Sequence, residues 1–204
     1  MRSPEVVYFE GLPGTGKTTL VTQLANSRPD ILVPVNEYVH PGKDIPENYK
    51  NQRFFMENDE LKYKAARESG RRSLVDRGHL STVLYTHAYR QIRGDQDLSY
   101  VDDWYTGKIL KDKMLPDMYI LLDIPPELSM ARRIRELDPD NNIWDHLQAL
   151  NFARENYPRY MGLFEPSVPV LTLSSHTMTI VDLKKEIAAI LGIDMHYSSG
   201  LLEL

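Results

Sequence analysis

The sequence predicts a three-layer α/β fold in which a five-stranded parallel sheet lies between helices on both faces. Strand and helix signals alternate along the 204 residues, which is typical of a parallel sheet covered on both sides. A glycine-rich loop joins the first strand to the first helix and would place backbone N–H groups around an anion. No stretch has linker composition and no repeat occurs, so we expect one domain over residues 1–204.

Five short apolar runs, bounded by polar or turn-forming residues, are predicted as the strands. They cover residues 6–9, 31–35, 73–76, 118–122 and 168–173. Pro34 lacks a backbone N–H, which favours a position at or near a sheet edge for the second strand. The third run ends on Asp76 and the fourth closes on Asp123.

The helices are predicted from apolar spacing and from end signals. The first helix is expected over 18–25, the second from after a loop at 40–48 to about Gly70, and the third along 80–88. Two more are expected to begin at Ser99 and at Pro126, one runs from about 146 to 164, and the last runs from Thr179 to before Gly192. Gly70 and Gly192 occupy positions typical of C-terminal caps. Ser99 with Asp102 and Thr179 with Asp182 have the spacing of N-terminal capping pairs.

The run from Gly11 to Thr18 fits the phosphate-binding loop pattern of glycine, four residues and Gly-Lys-Ser/Thr. Its glycines let successive N–H groups point at one anion, Lys17 adds charge for the β- and γ-phosphates, and the Thr18 hydroxyl can ligate Mg²⁺. The pattern predicts a P-loop NTPase fold that uses ATP and Mg²⁺. The expected nucleotide-binding residues of this loop are Gly11, Pro13, Gly14, Thr15, Gly16, Lys17, Thr18 and Thr19.

Three acidic residues follow predicted strands, namely Glu37, Asp76 and Asp123. Ligands of open parallel sheets bind beyond the carboxyl ends of the strands. We therefore expect Asp76 to hold Mg²⁺ beside Thr18, and Glu37 to accept a proton from an acceptor hydroxyl. Asp123 precedes two prolines, which makes a turn-forming or capping role plausible for it. The alternative for each is a solvated acid that ends a strand.

Arginines cluster on the predicted helix after Pro126, just before a segment rich in Asp and Asn. Arg132 and Arg135 would share one helix face, while Arg133 would point elsewhere. Phosphoryl transfer needs positive groups around the transferring oxygens. We expect an arginine-bearing lid over about 132–146, with a solvated helix face as the alternative.

Other polar residues give weaker signals. Arg53, Arg67 and Gln52 lie near aromatic residues on the second helix and could bind a flat ring, although such aromatics more often belong to the core. His87 lies on an apolar stripe and is expected to be a satisfied core histidine. The two tryptophans are expected to be packing anchors.

Composition narrows the classes of function. The net charge of −5 disfavours a broad nucleic-acid surface, and no apolar run is long enough to span a membrane. Cysteine is absent, so disulfides and thiolate chemistry are excluded. We expect a cytoplasmic enzyme that acts on a small molecule. The oligomeric state stays open, a homodimer included.

Three pieces of the chain together resemble the thymidylate kinase and deoxynucleoside kinase superfamily. They are the loop from Glu10 to Thr18, the strand end Val75-Asp76-Arg77, and the stretch 116–127, PDMYILLDIPPE, close to the superfamily's "PD…YLDVPPE". The resemblance covers most of the chain in order, but only the first piece is highly specific. It implies a P-loop kinase that transfers a phosphoryl group to a nucleoside or nucleotide.

The resemblance also implies roles for individual residues. Lys17 and Thr18 would bind ATP and Mg²⁺, while Asp76 and Arg77 would lie at the reaction centre. Arg132, Arg133 or Arg135 would clamp the phosphates, with Arg133 among the nucleotide-binding residues. Glu37 falls near the acidic base of deoxynucleoside kinases.

Two departures leave the phosphoryl acceptor open. Thymidylate kinases have Arg-Glu-Pro-Gly-Gly where this chain has Asn36-Glu37-Tyr38-Val39, and deoxynucleoside kinases usually have Glu-Arg-Ser where it has Asp76-Arg77-Gly78. The acceptor could be a nucleoside, a nucleoside monophosphate, or another hydroxyl-bearing metabolite or drug. A nucleotide-dependent switch is the alternative of another class. It is disfavoured because the chain has neither an Asn-Lys-x-Asp nor an Asp-x-x-Gly motif.

Overall fold

The computed structural model describes residues 5–39, 52–94, 97–140, 142–163 and 167–194. Five parallel strands form one sheet in the order β2-β3-β1-β4-β5. Their bounds are β1 Val6–Glu10, β2 Leu32–Val35, β3 Arg72–Asp76, β4 Met118–Asp123 and β5 Val170–Ser174. The predicted fold class is confirmed, and β2, which contains Pro34, lies at the edge of the sheet as expected.

The described residues form seven α-helices and two short helices of other types. The α-helices are α1 Lys17–Ser27, α2 Gln52–Glu68, α3 His79–Arg93, α4 Ser99–Trp104, α5 Pro126–Arg132, α6 Leu147–Gly162 and α7 Ile180–Ile190. A π-helix over Tyr105–Leu110 continues α4, and a 3₁₀ turn over Ile143–Asp145 precedes α6. The predicted loop at 40–48 lies outside the described residues. No helix among those described has both the length and the apolar composition needed to cross a membrane.

The sheet separates two hydrophobic cores because its buried strands are apolar on both faces. On β1, Val6 and Tyr8 pack in the core shared with α3 and α6, whereas Val7 and Phe9 pack in the core shared with α1 and α7. All four side chains are buried. Burial on both faces holds β1 and the loop that follows it in place.

The two predicted N-terminal capping pairs have different outcomes. Thr179 and Asp182 form the expected capping box at the start of α7. The pair Ser99 and Asp102 is wrong, because the Asp102 carboxylate instead accepts a hydrogen bond from Arg90 of α3 at 2.7 Å and lies 2.8 Å from His87 Nε2. His87 is partly buried and satisfied, since its other ring nitrogen meets the Tyr160 hydroxyl at 3.1 Å.

Register brings the functional loops together. β1 pairs with β3 in parallel, and Phe9 lies opposite Asp76. The loop after Glu10 and the residues after Asp76 therefore leave the sheet side by side. The same carboxyl edge carries the residues after β2 and β4.

Candidate active site

The loop between β1 and α1 adopts a conformation that requires glycine. Gly11 has φ +134°, and a Cβ at this position would lie 2.3 Å from the Leu122 carbonyl oxygen. Gly14 and Gly16 also have positive φ angles of +73° and +91°. The backbone therefore curls tightly over β4 and into α1, which is the shape of a phosphate-binding loop.

Lys17 lies inside the curve of this loop and is buried. Its Nζ donates to the carbonyl oxygens of Gly11 and Leu12, both at 2.8 Å, and lies 3.1 Å from Thr15 Oγ1. Burial lowers the pKa of Lys17 to about 7, and the nearby Arg77 charge acts in the same direction. A phosphate group placed here would favour the charged ammonium.

Asp76 and Thr18 meet across the sheet edge, as the sequence placed them. Thr18 Oγ1 donates to Asp76 Oδ2 at 2.5 Å. Asp76 is only 1% exposed, and its Oδ1 has no hydrogen-bond partner among the described residues. A buried carboxylate with an open oxygen beside a hydroxyl fits the oxygen ligands that Mg²⁺ takes.

Asp123 has a different environment from Asp76. Arg154 of α6 binds its carboxylate with two hydrogen bonds, from Nε at 2.7 Å and from Nη2 at 2.9 Å. The negative charge of Asp123 is therefore already paired within the protein. The expected capping role is not seen, because the N-cap position of α5 is Pro125 and no side chain caps that helix.

Arg77 adopts a left-handed conformation, with φ +60°, that is uncommon for a residue with a side chain. Its backbone N–H donates to Phe9 O at 3.0 Å, and its carbonyl accepts from Lys62 Nζ at 3.2 Å. Its Nε forms an ion pair with Glu37 Oε1 at 2.8 Å. Backbone strain of this kind persists only where the surroundings hold it, which is common at active sites.

The segment that carries Glu37 has no regular secondary structure, and the Asn58 side chain fixes its backbone at two points. The Asn58 side chain of α2 donates to the Glu37 carbonyl at 2.8 Å and accepts from the Val39 N–H at 2.9 Å. Burial alone would raise the pKa of Glu37, but the charges of Arg77, Lys17 and Lys62 outweigh it and hold the pKa below its usual value. The carboxylate is therefore ionised at neutral pH.

A cavity opens beside this pair and holds about 540 Å³ of empty space, its open mouth included. Its walls come from the segment after β2, from α2, from the start of α3 and from the segment before α6. The lining residues are Glu37, Tyr38, Gln52, Phe55, Asn58, Asp59, Lys62, Arg77, Gly78, Ser81, Thr82, Tyr85 and Trp144. Aromatic rings and a few polar side chains share these walls, which is the mixture typical of a small-molecule site.

Sequence reasoning named Gln52 of α2 but missed three other polar residues that this helix brings to the cavity. Asn58, Asp59 and Lys62 are at most 5% exposed. The available signal was that charged residues occupy helix positions whose neighbours, such as Phe54 and Ala66, are apolar and buried. Charged residues are rarely fully buried unless they are paired or functional.

Glu10, the last residue of β1, was also missed as a site residue. It is fully buried, and Ser81 Oγ donates to its Oε2 at 2.6 Å. Ser81 in turn lies 2.9 Å from the Tyr157 hydroxyl of α6. Burial raises the pKa of Glu10 to about 7 although the Ser81 hydrogen bond opposes the rise. The signal was an acid that ends a strand buried on both faces.

Replacing Glu10 by glutamine is expected to change how stability depends on pH. In the folded protein the Glu10 carboxyl keeps its proton up to about pH 7, whereas in the unfolded chain it loses the proton near pH 4.5. The parent should therefore lose stability relative to Glu10→Gln as pH rises from 4.5 to 7, by at most about 1.4 kcal/mol per pH unit. Urea unfolding at pH 5 and pH 7.5 measures this. A difference that does not vary with pH would mean that Glu10 titrates normally.

The arginine segment after Pro126 differs in part from the prediction. α5 ends at Arg132, so Arg135 lies in a turn, and the predicted shared helix face is wrong. At the end of α5 the Arg133 N–H donates to Met130 O at 3.0 Å, which closes the last turn of the helix. Arg135 is exposed and makes no hydrogen bond or ion pair within the part of the chain that is described.

The other two arginines are anchored near the loop. Arg132 donates to Gly14 O and Ser175 O, both at 3.0 Å. Arg133 forms an ion pair with Asp145 at 2.8 Å, and its Cγ lies 3.5 Å from where a Cβ on Gly14 would be. Both side chains therefore lie beside the phosphate-binding loop.

The weaker candidates of α2 separate into two groups. Arg67 pairs with Asp117 at 2.9 Å, and the Arg53 guanidinium lies 4.8 Å from the centre of the Tyr100 ring. Neither arginine lines the cavity. Gln52 does line it and accepts a hydrogen bond from Thr86 at 3.2 Å.

Comparison with known proteins gives relatives of two kinds. No family model matches the chain. The thymidylate kinase of Fervidobacterium nodosum is 27% identical over 174 residues, covering 74% of this chain and 85% of the relative. The thymidylate kinase of Limosilactobacillus fermentum is 28% identical over 186 residues, covering 80% of this chain and 83% of the relative.

Among solved structures, deoxyadenosine kinase from M. mycoides with bound dATP is similar in fold. Its TM-score is 0.71 at 15% identity, with 91% of this chain and 98% of that chain covered. The same kinase with bound dCTP gives a TM-score of 0.67 at 15% identity, with 92% and 98% covered. The comparisons confirm the expected resemblance and the P-loop kinase fold.

Proposed function

We propose that this chain, a P-loop kinase similar in sequence to thymidylate kinases and in fold to deoxyadenosine kinase, transfers the γ-phosphoryl group of ATP to a nucleoside hydroxyl. The observation that carries the proposal is the Glu37–Arg77 ion pair at the wall of the cavity beside Lys17. Under this proposal Glu37 would act as the base between an acceptor cavity and a phosphate-binding loop. The whole chain would act as one kinase domain, with a lid over about 132–146.

The charges of the cavity favour a neutral acceptor over a monophosphate. Its two described cations, Arg77 and Lys62, are each paired with an acid, Glu37 and Asp59 respectively. A phosphate monoester carries about two negative charges at neutral pH and needs unpaired positive groups. A hydroxyl needs a proton acceptor instead, and an ionised Glu37 meets that need.

In the proposed step, the acceptor oxygen attacks the γ-phosphorus and its proton passes to Glu37. The bond between the γ-phosphorus and the bridging oxygen breaks, and ADP leaves with that electron pair. Lys17 would lie against the β- and γ-phosphates, and Arg77 would hold the base. Arg132, Arg133 and Arg135 would clamp the phosphate oxygens of the nucleotide.

Thr18 and Asp76 are the residues that would hold Mg²⁺. The described residues contain no group of three or more His, Cys, Asp or Glu side chains that could bind a metal by itself. A single hydroxyl and a single carboxylate suit an ion whose other ligands are phosphate oxygens and water. When bound, the ion would neutralise charge on the phosphates.

A substrate panel tests the proposal directly. ADP production is measured with ATP, Mg²⁺ and each of the common deoxynucleosides and deoxynucleoside monophosphates. We expect turnover with at least one nucleoside and much slower turnover with the matching monophosphate. Turnover with monophosphates alone would overturn the hydroxyl acceptor and favour a thymidylate kinase-like reaction. ADP production that ignores every acceptor would favour the nucleotide-dependent switch.

Asp76→Asn is expected to reduce Mg²⁺-dependent activity far more than Asp123→Asn. The amide keeps the shape of Asp76 but removes the charge that attracts the metal. The Asp123 carboxylate is already paired with Arg154. The measurement is kcat as a function of Mg²⁺ concentration in both variants. Equal losses in the two variants, or a larger loss in Asp123→Asn, would show that Asp76 is not the carboxylate that holds the metal.

A further inference from the structure

Two charged residues of α2, Asp59 and Lys62, remain without a role in the proposed step. They are 5% and 2% exposed, and Lys62 Nζ lies 2.7 Å from Asp59 Oδ1. Both line the acceptor cavity. Burying an ion pair often stabilises a protein less than apolar residues of the same size would. The pair therefore needs an explanation other than stability.

The pair has hydrogen-bonding capacity to spare. An ammonium has three donors, and the described contacts of Lys62 use two of them, to Asp59 and to the Arg77 carbonyl at 3.2 Å. The Asp59 carboxylate accepts from Lys62 and from Thr82 Oγ1 at 2.7 Å, which leaves lone pairs on its oxygens. One donor and at least one acceptor thus lie together in the wall of a cavity.

The geometry points to Asp59 and Lys62 as a recognition subsite for an uncharged group of the acceptor that both donates and accepts a hydrogen bond. A sugar hydroxyl and the N–H and C=O edge of a nucleobase share this chemistry. A phosphate does not, because it would meet the Asp59 carboxylate. This inference rests on the proposed function and names how the same cavity selects its acceptor.

A purely structural role predicts a different result. Lys62 donates to the carbonyl of Arg77, whose backbone is strained. If the pair only supported Arg77, its loss would lower kcat and leave the KM for the acceptor unchanged. Recognition of the acceptor raises that KM instead.

The test uses two variants of the full chain. Asp59→Asn keeps the shape and removes the charge. The double variant Asp59→Leu with Lys62→Met removes both charges, which buried pairs tolerate better than the loss of one partner. Lys64→Met, at an exposed position of the same helix, is the matched control. Thermal unfolding checks that each variant is folded, and Asp59→Asn carries the test alone if the double variant is not.

The probes are the four common deoxynucleosides. For the one with the highest kcat/KM, two analogues are added, one without the 3′-hydroxyl and one methylated on the base N–H. We expect the KM for the acceptor to rise ~10- to 100-fold in the variants, as for a lost hydrogen bond to a charged group, with the KM for ATP unchanged. The control should match the parent.

The analogues show which group is recognised. In the parent, the analogue that lacks the recognised group should have a higher KM than the nucleoside, and in Asp59→Asn this difference in KM should disappear. The difference disappears for the 3′-deoxy analogue if a sugar hydroxyl is recognised, and for the N-methyl analogue if a base edge is recognised.

Two results overturn the inference. One is a fall in kcat with an unchanged KM for the acceptor, and the other is a difference in KM that persists in Asp59→Asn for both analogues. A parent enzyme that phosphorylates no nucleoside would instead overturn the proposed function.

Discussion

Glu37→Gln is expected to lower kcat by ~10²–10⁴-fold with a nucleoside acceptor, the range that general-base catalysis contributes. Glutamine keeps the shape of the side chain but is a far weaker proton acceptor. The Glu37 carboxylate is the group that the structure pairs with Arg77 at the cavity wall, and its lowered pKa keeps it ionised at neutral pH. Steady-state kinetics of the purified variant measures the effect.

The control for this variant is Glu186→Gln, at an exposed position of α7 far along the chain from the site. It should match the parent. A fall of less than about tenfold at Glu37, with intact folding, would reject the base role. It would also favour a monophosphate acceptor, whose oxygen is already anionic and needs no base.

Lys17→Ala is expected to lower the transfer rate by ~10²–10³-fold, the loss typical of one electrostatic contact to a reacting group. Lys17 Nζ lies inside the loop, against the carbonyl oxygens of Gly11 and Leu12. Removing it takes away the positive charge nearest to where the phosphates would bind. The measurement is single-turnover transfer with saturating ATP and the acceptor that the panel identifies.

The burial of Lys17 calls for a second variant. Alanine leaves two loop carbonyls without their donor, so folding is checked by thermal unfolding. Lys17→Met fills the same space without the charge and should lose activity equally. Lys64→Ala, at an exposed position of α2, is the control. Turnover near that of the parent in the folded Lys17 variants would contradict the phosphate-binding role of the loop.

Local patterns in the sequence were sufficient to predict the fold class and the glycine-rich loop between β1 and α1. Strand, glycine-rich loop and helix are adjacent in the chain, so residues 6–27 were enough to predict them, although the folded loop also contacts Leu122 and Arg132. Asp76 and Glu37 could be found because strands of a parallel sheet end at one edge. Their meeting with Thr18 and Arg77 follows from the strand order.

Where periodicity was extended without knowledge of tertiary partners, the prediction was wrong. Ser99 and Asp102 have capping spacing, but Asp102 is bound by His87 and Arg90 of another helix. Arg135 has helical spacing from Arg132, but α5 ends first. Spacing describes what a segment could do by itself, and contacts from other segments decide between the alternatives.

The sequence by itself determined the sheet, the phosphate-binding loop and the acids at the strand ends, because each depends on neighbours in the chain or on one rule of sheet topology. Only the tertiary structure showed that Asp59, Lys62 and Glu10 are buried beside the acceptor cavity. A charged residue on a helix or at a strand end looks solvated until the opposing elements are known. Its desolvation, and hence its chemistry, is a property of the packed elements.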